Sequence, residues 1–159
     1  MIEVRNVYKS FNGKEVLRDI SFTFEAGKTN LIIGQSGSGK TVLMKSVIGI
    51  HQVDKGQILY NGRDFTKMSG KEVALLRQEI GMLFQGSALF DSMTVEENVR
   101  FPLEMFSNKT RKEWEKRVAF CLDRVGLSHA AKLYPSEISG GMQKRAAIAR
   151  AIVLEPTYL

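Results

Sequence analysis

The sequence contains few residues that could crosslink the chain or bind a soft metal. Of its 159 residues one is a cysteine and two are histidines. Cys121 therefore cannot form an internal disulfide, and no zinc-spaced cluster of ligands is present. These absences exclude a disulfide-stapled scaffold and indicate a reducing, cytosolic setting.

Long apolar runs are absent as well. No segment approaches the roughly 18 apolar residues that a membrane-spanning helix needs. The N-terminus, MIEVRNVYKSF, has no apolar stretch after a basic one. We therefore expect a protein that, if it works at a membrane, works from outside the bilayer.

Positive charge is in excess, with 23 Lys and Arg against 17 Asp and Glu and a formal net charge of +6. This balance suits anionic partners such as nucleotide phosphates, nucleic acid or an acidic membrane face, and by itself selects none of them. The 43% hydrophobic content and the length predict one globular domain with its own core.

The first part of the chain reads as β-rich. Apolar and polar residues alternate at 2–8 and 15–24, on either side of Asn12-Gly13, which predicts an antiparallel hairpin. The continuous apolar run TNLIIG at 29–34 is typical of a strand buried on both faces.

Further strands and helices alternate after that run. QILYNG at 57–62 and IGMLF at 80–84 predict two more strands. A helix is expected from Lys40 to about Ile48, and another near Ser69, where S-G-K-E offers a capping box.

The stretch 86–138 is mainly helical in character. Thr94 and Thr110 each begin a capping box, with glutamate at the third position after the threonine, and each opens a helical pattern. The last helix is expected from about Gly140 to Leu154, closed by Glu155-Pro156, because a residue before proline is disfavoured in the α conformation.

A phosphate-binding motif lies between the run at 29–34 and the helix at 40. Its pattern is G-x-x-x-x-G-K-[ST], formed by Gly34, Gln35, Ser36, Gly37, Ser38, Gly39, Lys40 and Thr41. Glycines let the backbone wrap around phosphates, and the helix N-terminus attracts their charge. We expect Lys40 to reach the β and γ phosphates and the Thr41 hydroxyl to bind Mg²⁺.

A second glycine pair opens the last helix, in ISGGMQKR at 138–145. This segment resembles the L-S-G-G-Q signature of ATP-binding cassette (ABC) ATPases and lies downstream of the phosphate loop in the expected order. The resemblance implies that Ser139, Gly140 and Gly141 cap the γ phosphate of an ATP held by another subunit. It therefore implies a head-to-tail dimer with ATP and Mg²⁺ as ligands.

The resemblance extends to two further positions. Gln85, which follows IGMLF, is similar to the glutamine that touches Mg²⁺ and the attacking water and senses the transporter. Phe11, just before the Asn-Gly turn, is similar to the aromatic residue that stacks on adenine, although Tyr8 is nearby. The implied catalytic residues are Lys40 and Gln85, and the implied metal ligands are Thr41 and Gln85.

Two departures separate the sequence from the usual signature. Ile138 replaces leucine, and Met142 stands at the glutamine position with Gln143 after it. The S-G-G-M variant, together with QGSALFDSMTVEENVRFPL at 85–103, is similar to the ATPase subunits of Mla-type lipid transporters, also called solvent-tolerance transporters. Amino-acid or methionine importers, whose ATPases share most of these motifs, are the alternative.

The catalytic carboxylates of the family are not found among the 159 residues. A complete cassette continues into an apolar strand followed by Asp, for Mg²⁺, and Glu, for the attacking water. Asp123 follows an apolar run but precedes the signature and sits in a helical period, so we reject it as the metal ligand. His51 and His129 are interpreted as ordinary surface residues. We expect a C-terminally truncated cassette that binds nucleotide weakly and hydrolyses it barely on its own.

The fold class expected is α/β: a P-loop NTPase cassette with an N-terminal antiparallel β subdomain, a partial parallel-sheet core and a helical subdomain. The expected divisions are 1–85 for the β subdomain and P-loop core, 86–138 for the helical subdomain, and 139–159 for the signature helix and the start of the next strand.

The function implied is the ATP-binding subunit of a transporter on the cytoplasmic face of the inner membrane, with a second ATPase subunit and integral membrane permease subunits as partners. A nucleic-acid or ribosome-associated ATPase and a non-hydrolytic regulatory module are the alternatives, and no nucleic-acid partner is expected. Relatives that act on nucleic acid usually insert coiled coils or extra domains where this chain has a compact helical stretch.

Overall fold

The computed structural model describes residues 1–84 and 86–159, which form two compact units, Met1–Leu75 and Leu76–Leu159. The division into 1–85, 86–138 and 139–159 stays a prediction.

A four-stranded antiparallel sheet forms most of the first unit, in the order β2-β1-β3-β4. Its strands are β1 (Ile2–Phe11), β2 (Lys14–Phe24), β3 (Lys55–Tyr60) and β4 (Arg63–Asp64). Asn12 and Gly13 have φ values of 49° and 78°, which fits a tight hairpin turn that needs positive φ at both central residues. The predicted N-terminal hairpin is confirmed.

Helix α1 (Lys40–Val47) lies against this sheet, as predicted from the pattern after the phosphate motif. Val7, Leu17 and Ile58 from the strands are buried, as are the α1 residues Leu43 and Val47. The buried Tyr60 hydroxyl on β3 donates to the Val47 carbonyl at 2.7 Å. Sheet and helix therefore form one core, which fixes where the N-terminus of α1 lies.

Helix α2 (Gly70–Gln78) begins where the S-G-K-E pattern predicts. The Ser69 N–H and hydroxyl both donate to the Glu72 carboxylate, at 2.8 and 2.7 Å. A single 3₁₀ turn, Phe65–Lys67, precedes this helix.

The second unit is built on α3 (Val95–Phe106), α4 (Arg111–Arg124) and α5 (Gly140–Ile152). Short 3₁₀ turns at Ser128–Ala130 and Pro135–Glu137 connect the last two helices. The three helices share one buried cluster, composed of Val95, Val99, Leu103, Val118, Cys121, Leu122, Leu127, Ala130, Ile138, Ala146, Ala149 and Val153. Helical structure after residue 86 is confirmed.

The C-terminus of α5 is closed by a side chain from α4. Arg117 donates from Nε to the Val153 carbonyl at 3.0 Å and from Nη2 to the Ile152 carbonyl at 2.7 Å. The last carbonyls of a helix have no partner within the helix, so this fork satisfies two of them and joins the two helices.

One turn further along α4, burial raises the pKa of the Cys121 thiol, which keeps it protonated and unreactive.

A buried asparagine holds the segment before α3. Asn98 is fully buried and accepts a hydrogen bond from the Phe90 N–H at 2.7 Å. Its amide nitrogen donates to the carbonyls of Phe90, Met93 and Thr94, each at 3.0 Å. Because a buried amide must be satisfied locally, these four bonds set the path of residues 90–94.

The predicted strand at 29–34 is wrong in this structure. These residues lie outside every strand, and Leu31 and Ile33 are 80% and 82% exposed. A strand of the fully apolar type takes its ladder and its burial from neighbours on both sides. Within the part of the chain that the structure describes, no strand pairs with this segment.

The predicted strand at 80–84 is reduced to one parallel bridge, Ile80 with Tyr158. The Gly81 N–H donates to the Tyr158 carbonyl at 2.8 Å, and the Tyr158 N–H donates to the Glu79 carbonyl at 3.0 Å. Leu83 and Phe84 remain 45% and 47% exposed. Of the predicted partial parallel core, the described residues show this one parallel bridge.

Across the described ranges, no helix has the length and apolar character needed to cross a bilayer.

The capping boxes of α3 and α4 make the second unit sensitive to acid. The carboxylates of Glu97 and Glu113 accept hydrogen bonds from the N–H and hydroxyl of Thr94 and Thr110, and these bonds lower the pKa of both glutamates. A folded pKa below the unfolded value of about 4.3 gives stability that is present above it and lost as the pH falls through the folded pKa.

We therefore expect the double variant Glu97→Gln/Glu113→Gln to unfold at lower urea concentration than the unchanged protein at pH 7. The difference should shrink as the pH falls below about 4, since protonation removes the same charge. Urea unfolding followed by circular dichroism at pH 7, 5 and 3.5 measures it. A difference that stays constant to pH 3.5 would contradict this account.

Candidate nucleotide-binding site

The phosphate motif forms a tight loop that leads into α1. The Ser38 N–H donates to the Gln35 carbonyl at 3.2 Å. Gly37 and Gly39 have φ values of 79° and 91°, a region that side-chain-bearing residues rarely adopt. Gly34, Gln35, Ser36, Gly37 and Ser38 are all exposed. Their backbone is therefore open to a ligand along the whole turn.

Lys40 closes this loop with its own side chain. The ammonium donates to the carbonyls of Gly34 and Gln35, both at 2.7 Å. The side chain of Lys40 thus reaches back to a residue six positions earlier and places its positive charge across the opening of the loop. An ammonium has three hydrogens, so it can donate to a phosphate oxygen as well.

The N-terminus of α1 is open. Gly39 is its N-cap residue and gives no side-chain hydrogen bond, and the first turn contains no acidic residue. Thr41, in that first turn, is exposed with its hydroxyl available for a metal or a phosphate oxygen. Free N–H groups and the helix dipole make such an end an anion site. The residues present therefore fit a Mg²⁺-bound polyphosphate.

Gly39 is confined by the neighbouring strand. A Cβ at this position would lie 3.2 Å from the Val16 carbonyl oxygen, from the Val16 Cγ1 and from the Leu17 Cδ2. Strand β2 therefore lies so close to the loop that a Cβ at position 39 would require its neighbours to shift by a few tenths of an ångström. This contact ties the phosphate loop to the sheet.

Phe11 lies at the end of β1, in the same unit as the loop, with 38% of its surface exposed. The His51 ring meets it edge-on, with centroids 5.2 Å apart, and the Lys9 ammonium is 5.2 Å from its centroid. Asp54 holds Lys9 through an ion pair at 2.7 Å. The Phe11 ring is therefore held by contacts with His51 and Lys9. Its role with adenine stays a prediction.

His51 and Lys9 were not singled out from the sequence as neighbours of Phe11. His51 is 40 positions away along the chain and carries no motif, so only the folded sheet and helix bring the rings together.

The signature residues lie at the start of α5. Ser139 is the N-cap residue, and its hydroxyl accepts from the Met142 N–H at 3.3 Å. Ser139, Gly140 and Gly141 are exposed, and a Cβ on Gly140 would meet no atom within 4 Å. This helix end is therefore accessible from outside the subunit, in keeping with a ligand presented by a partner.

Both departures from the usual signature have a structural reason. Met142 is half-buried and packs against the helical core, to which Ile138 also belongs. The Gln143 amide donates to the Pro135 carbonyl at 2.8 Å, which joins α5 to the preceding turn. With these residues present, Ser139, Gly140 and Gly141 remain exposed at the start of α5.

Gln85 lies outside the described residues. The phosphate loop and Phe11 occur in the first unit, and the signature occurs in the second.

Comparison with known proteins identifies relatives of the whole described chain. The family model for "ABC transporter" matches residues 17–159. The "Probable ribonucleotide transport ATP-binding protein mkl" of Mycobacterium leprae is 42% identical over 158 residues, covering 99% of this chain and 46% of that protein. The "Methionine import ATP-binding protein MetN 1" of Rhodococcus jostii is 44% identical over 164 residues, covering 100% of this chain and 48% of that protein. The chain thus spans less than half the length of these two relatives.

Among solved structures, the dimeric bacterial ABC transporter cassette MJ0796 superimposes with a TM-score of 0.88 at 29% identity. The match covers 98% of this chain and 71% of that one. The α/β cassette fold predicted from the sequence is confirmed.

Because Gly39 is crowded and Gly37 is not, we expect alanine to destabilise the protein more at position 39 than at position 37. Gly39→Ala should lower the free energy of unfolding by about 1–3 kcal/mol, because it adds a Cβ at positive φ against the β2 backbone. Gly37→Ala is the matched control, since its Cβ would meet nothing within 4 Å. It should lower the stability by only the conformational part, about 1–2 kcal/mol. Chemical denaturation measures both, and a larger loss for Gly37→Ala would contradict the close contact with β2.

Proposed function

Because the chain belongs to the ABC transporter family, we propose that it is the ATP-binding part of a transporter ATPase. In this proposal it binds ATP with Mg²⁺ and couples ATP binding and hydrolysis, ATP + H₂O to ADP + phosphate, to transport through integral membrane subunits. It works on the cytoplasmic face of the membrane as one of two ATPase subunits.

The open N-terminus of α1 beneath the Lys40 ammonium is the observation that carries this proposal. A triphosphate seated there would receive N–H groups from the loop and a direct contact from Lys40. Mg²⁺, when bound, would neutralise charge on the β and γ phosphates, with Thr41 and Gln85 as its protein ligands. The chain's own contribution is to hold the phosphates and orient them.

The second half of the site would come from a partner copy. The exposed Ser139, Gly140 and Gly141 amides at the start of α5 suit a γ phosphate presented by the other subunit. The dimeric state of the similar cassette supports a pair of subunits. In the proposed pair the subunits are head-to-tail, and each ATP lies between one phosphate loop and one signature. Phe11 would provide the stacking surface for adenine at the near end.

Hydrolysis also requires polarisation of the attacking water. We assign it to no carboxylate of these 159 residues, and Asp123 on α4 has no part in it. Lys40 and Gln85 are the catalytic residues that we assign here.

For the transported solute we propose a lipid, on the strength of the S-G-G-M signature and the stretch 85–103. The names of the relatives point to ribonucleotides and methionine for those proteins. Purification of the protein with its membrane subunits, followed by mass spectrometry of the bound solute, separates these classes.

Salt-sensitive binding to nucleic acid in place of membrane subunits would instead favour the alternative of an ATPase not coupled to transport.

Replacing Lys40 should weaken ATP binding. In Lys40→Ala we expect the dissociation constant for ATP to rise at least tenfold, or about 1.4 kcal/mol, because a point charge on the phosphates is lost. Isothermal titration calorimetry of the full protein measures it. Lys45→Ala, at the other end of α1, is the matched control and should leave ATP affinity within about twofold. Unchanged affinity in Lys40→Ala would remove the loop from the site.

Placing a carboxylate in the signature should block closure of the dimer without harming the fold. Gly140→Asp adds a side chain into open space, and a negative charge at a helix N-terminus stabilises the helix. The same charge would repel the γ phosphate of the partner's ATP, so ATP-driven dimerisation should disappear. Gly140→Asn is the neutral control of the same shape.

Light scattering after gel filtration, with and without ATP, gives the dimer fraction for these variants. Dimerisation of Gly140→Asp at the ATP concentration that dimerises the unchanged protein would rule out the sandwich arrangement.

A further inference from the structure

The segment that follows Gln85 has an unfavourable backbone. Gly86, Ser87 and Ala88 have φ values of 89°, 64° and 49°, so three consecutive residues are left-handed. For residues with a Cβ this conformation costs about 1–2 kcal/mol each. Ser87 is buried as well. Such a turn persists only where its surroundings hold it.

An arginine of α5 provides that hold. Arg150 donates from Nη1 to the Ala88 carbonyl at 2.8 Å and from Nη2 to the Ser87 carbonyl at 2.9 Å. The planar guanidinium engages the two carbonyls through two separate nitrogens, whereas a lysine ammonium would have to reach both from a single nitrogen. Beyond the turn, the four hydrogen bonds of Asn98 hold residues 90–94. The left-handed turn is therefore held by α5, and the next residues by α3.

Helix α5 carries the signature at one end and this fork near the other. Arg150 comes ten positions after Gly140, or about 15 Å along the helix axis. Between them Ala146 and Ala149 are buried in the helical core. Rigid secondary elements carry coupling between distant sites, so we expect a displacement at the N-terminus of α5 to be transmitted to Arg150.

We propose that Arg150 is a positioning residue that transmits the position of the signature helix to the turn at 86–88. The inference rests on the proposed function, since it is ATP at the start of α5 that would set the helix position. When α5 shifts, the fork carries the Ser87 and Ala88 carbonyls with it. The position of the signature at the start of α5 and the position of the turn at 86–88 are then coupled.

Other arginines near α5 do not share this role. Arg145 also donates from α5 to two carbonyls, but these are Val125 at 2.8 Å and Gly126 at 3.4 Å, at the end of α4. Both bonds come from its Nη1 nitrogen and lie within the same unit, and neither is to the turn after Gln85. Arg145→Ala is therefore a matched control for the loss of an arginine on α5.

The experiment is hydrogen exchange of the peptide covering 86–94 in the full protein, with and without ATP and Mg²⁺, alongside the ATP dissociation constant. In the unchanged protein we expect ATP to slow this exchange. In Arg150→Ala the exchange without ATP should be about tenfold faster, since two hydrogen bonds are lost, and ATP should no longer slow it. The dissociation constant should stay within about threefold, and Arg145→Ala should match the unchanged protein at 86–94.

Persistence of the full ATP-dependent slowing in Arg150→Ala would overturn the proposal, as would its loss in Arg145→Ala. Arg150→Lys keeps the charge without the fork and should restore only part of the slowing. If Arg150→Ala does not fold, full slowing in Arg150→Lys would itself overturn the proposal. Absence of ATP binding in the unchanged protein would contradict the proposed function instead, and the affinity measurement shows this separately.

Discussion

Among the described residues no side chain caps the N-terminus of α1, and the chemistry of the site depends on that. Helices α3 and α4 close their first turns with their own glutamates, Glu97 and Glu113, which accept from the threonine before each helix. Helix α1 begins instead at Gly39, with no side-chain cap and no acid in its first turn. The protein thus satisfies its structural helices internally and leaves this end for an external anion.

The sheet holds the N-terminus of α1 in place. Strand β2 touches the loop at Gly39, and β3 reaches the far end of α1 through the Tyr60 hydroxyl. A helix of two turns would have little stability alone, so its position is set by these tertiary contacts. The Lys40 ammonium then adds a charge to a frame that the sheet already fixes.

The features predicted correctly from the sequence are those that depend on residues close together in the chain. The Asn12-Gly13 hairpin and the capping boxes at Thr94 and Thr110 need only a few neighbouring residues, and each is present. The run at 29–34 was interpreted wrongly because its apolar pattern describes a strand among strands, and no described strand pairs with it. The contacts of Arg150 and His51 could not be predicted, since their partners are 62 and 40 positions away and no motif marks them.

The contacts of Phe11 with Lys9 and His51 restrict how a flat ligand could stack on its ring. The Lys9 ammonium, which is paired with Asp54, lies over one face of the Phe11 ring, and the His51 ring makes a T-shaped contact with it. A flat ligand that stacks on Phe11 while the Lys9 contact persists would therefore have to use the opposite face, with 38% of the Phe11 surface exposed.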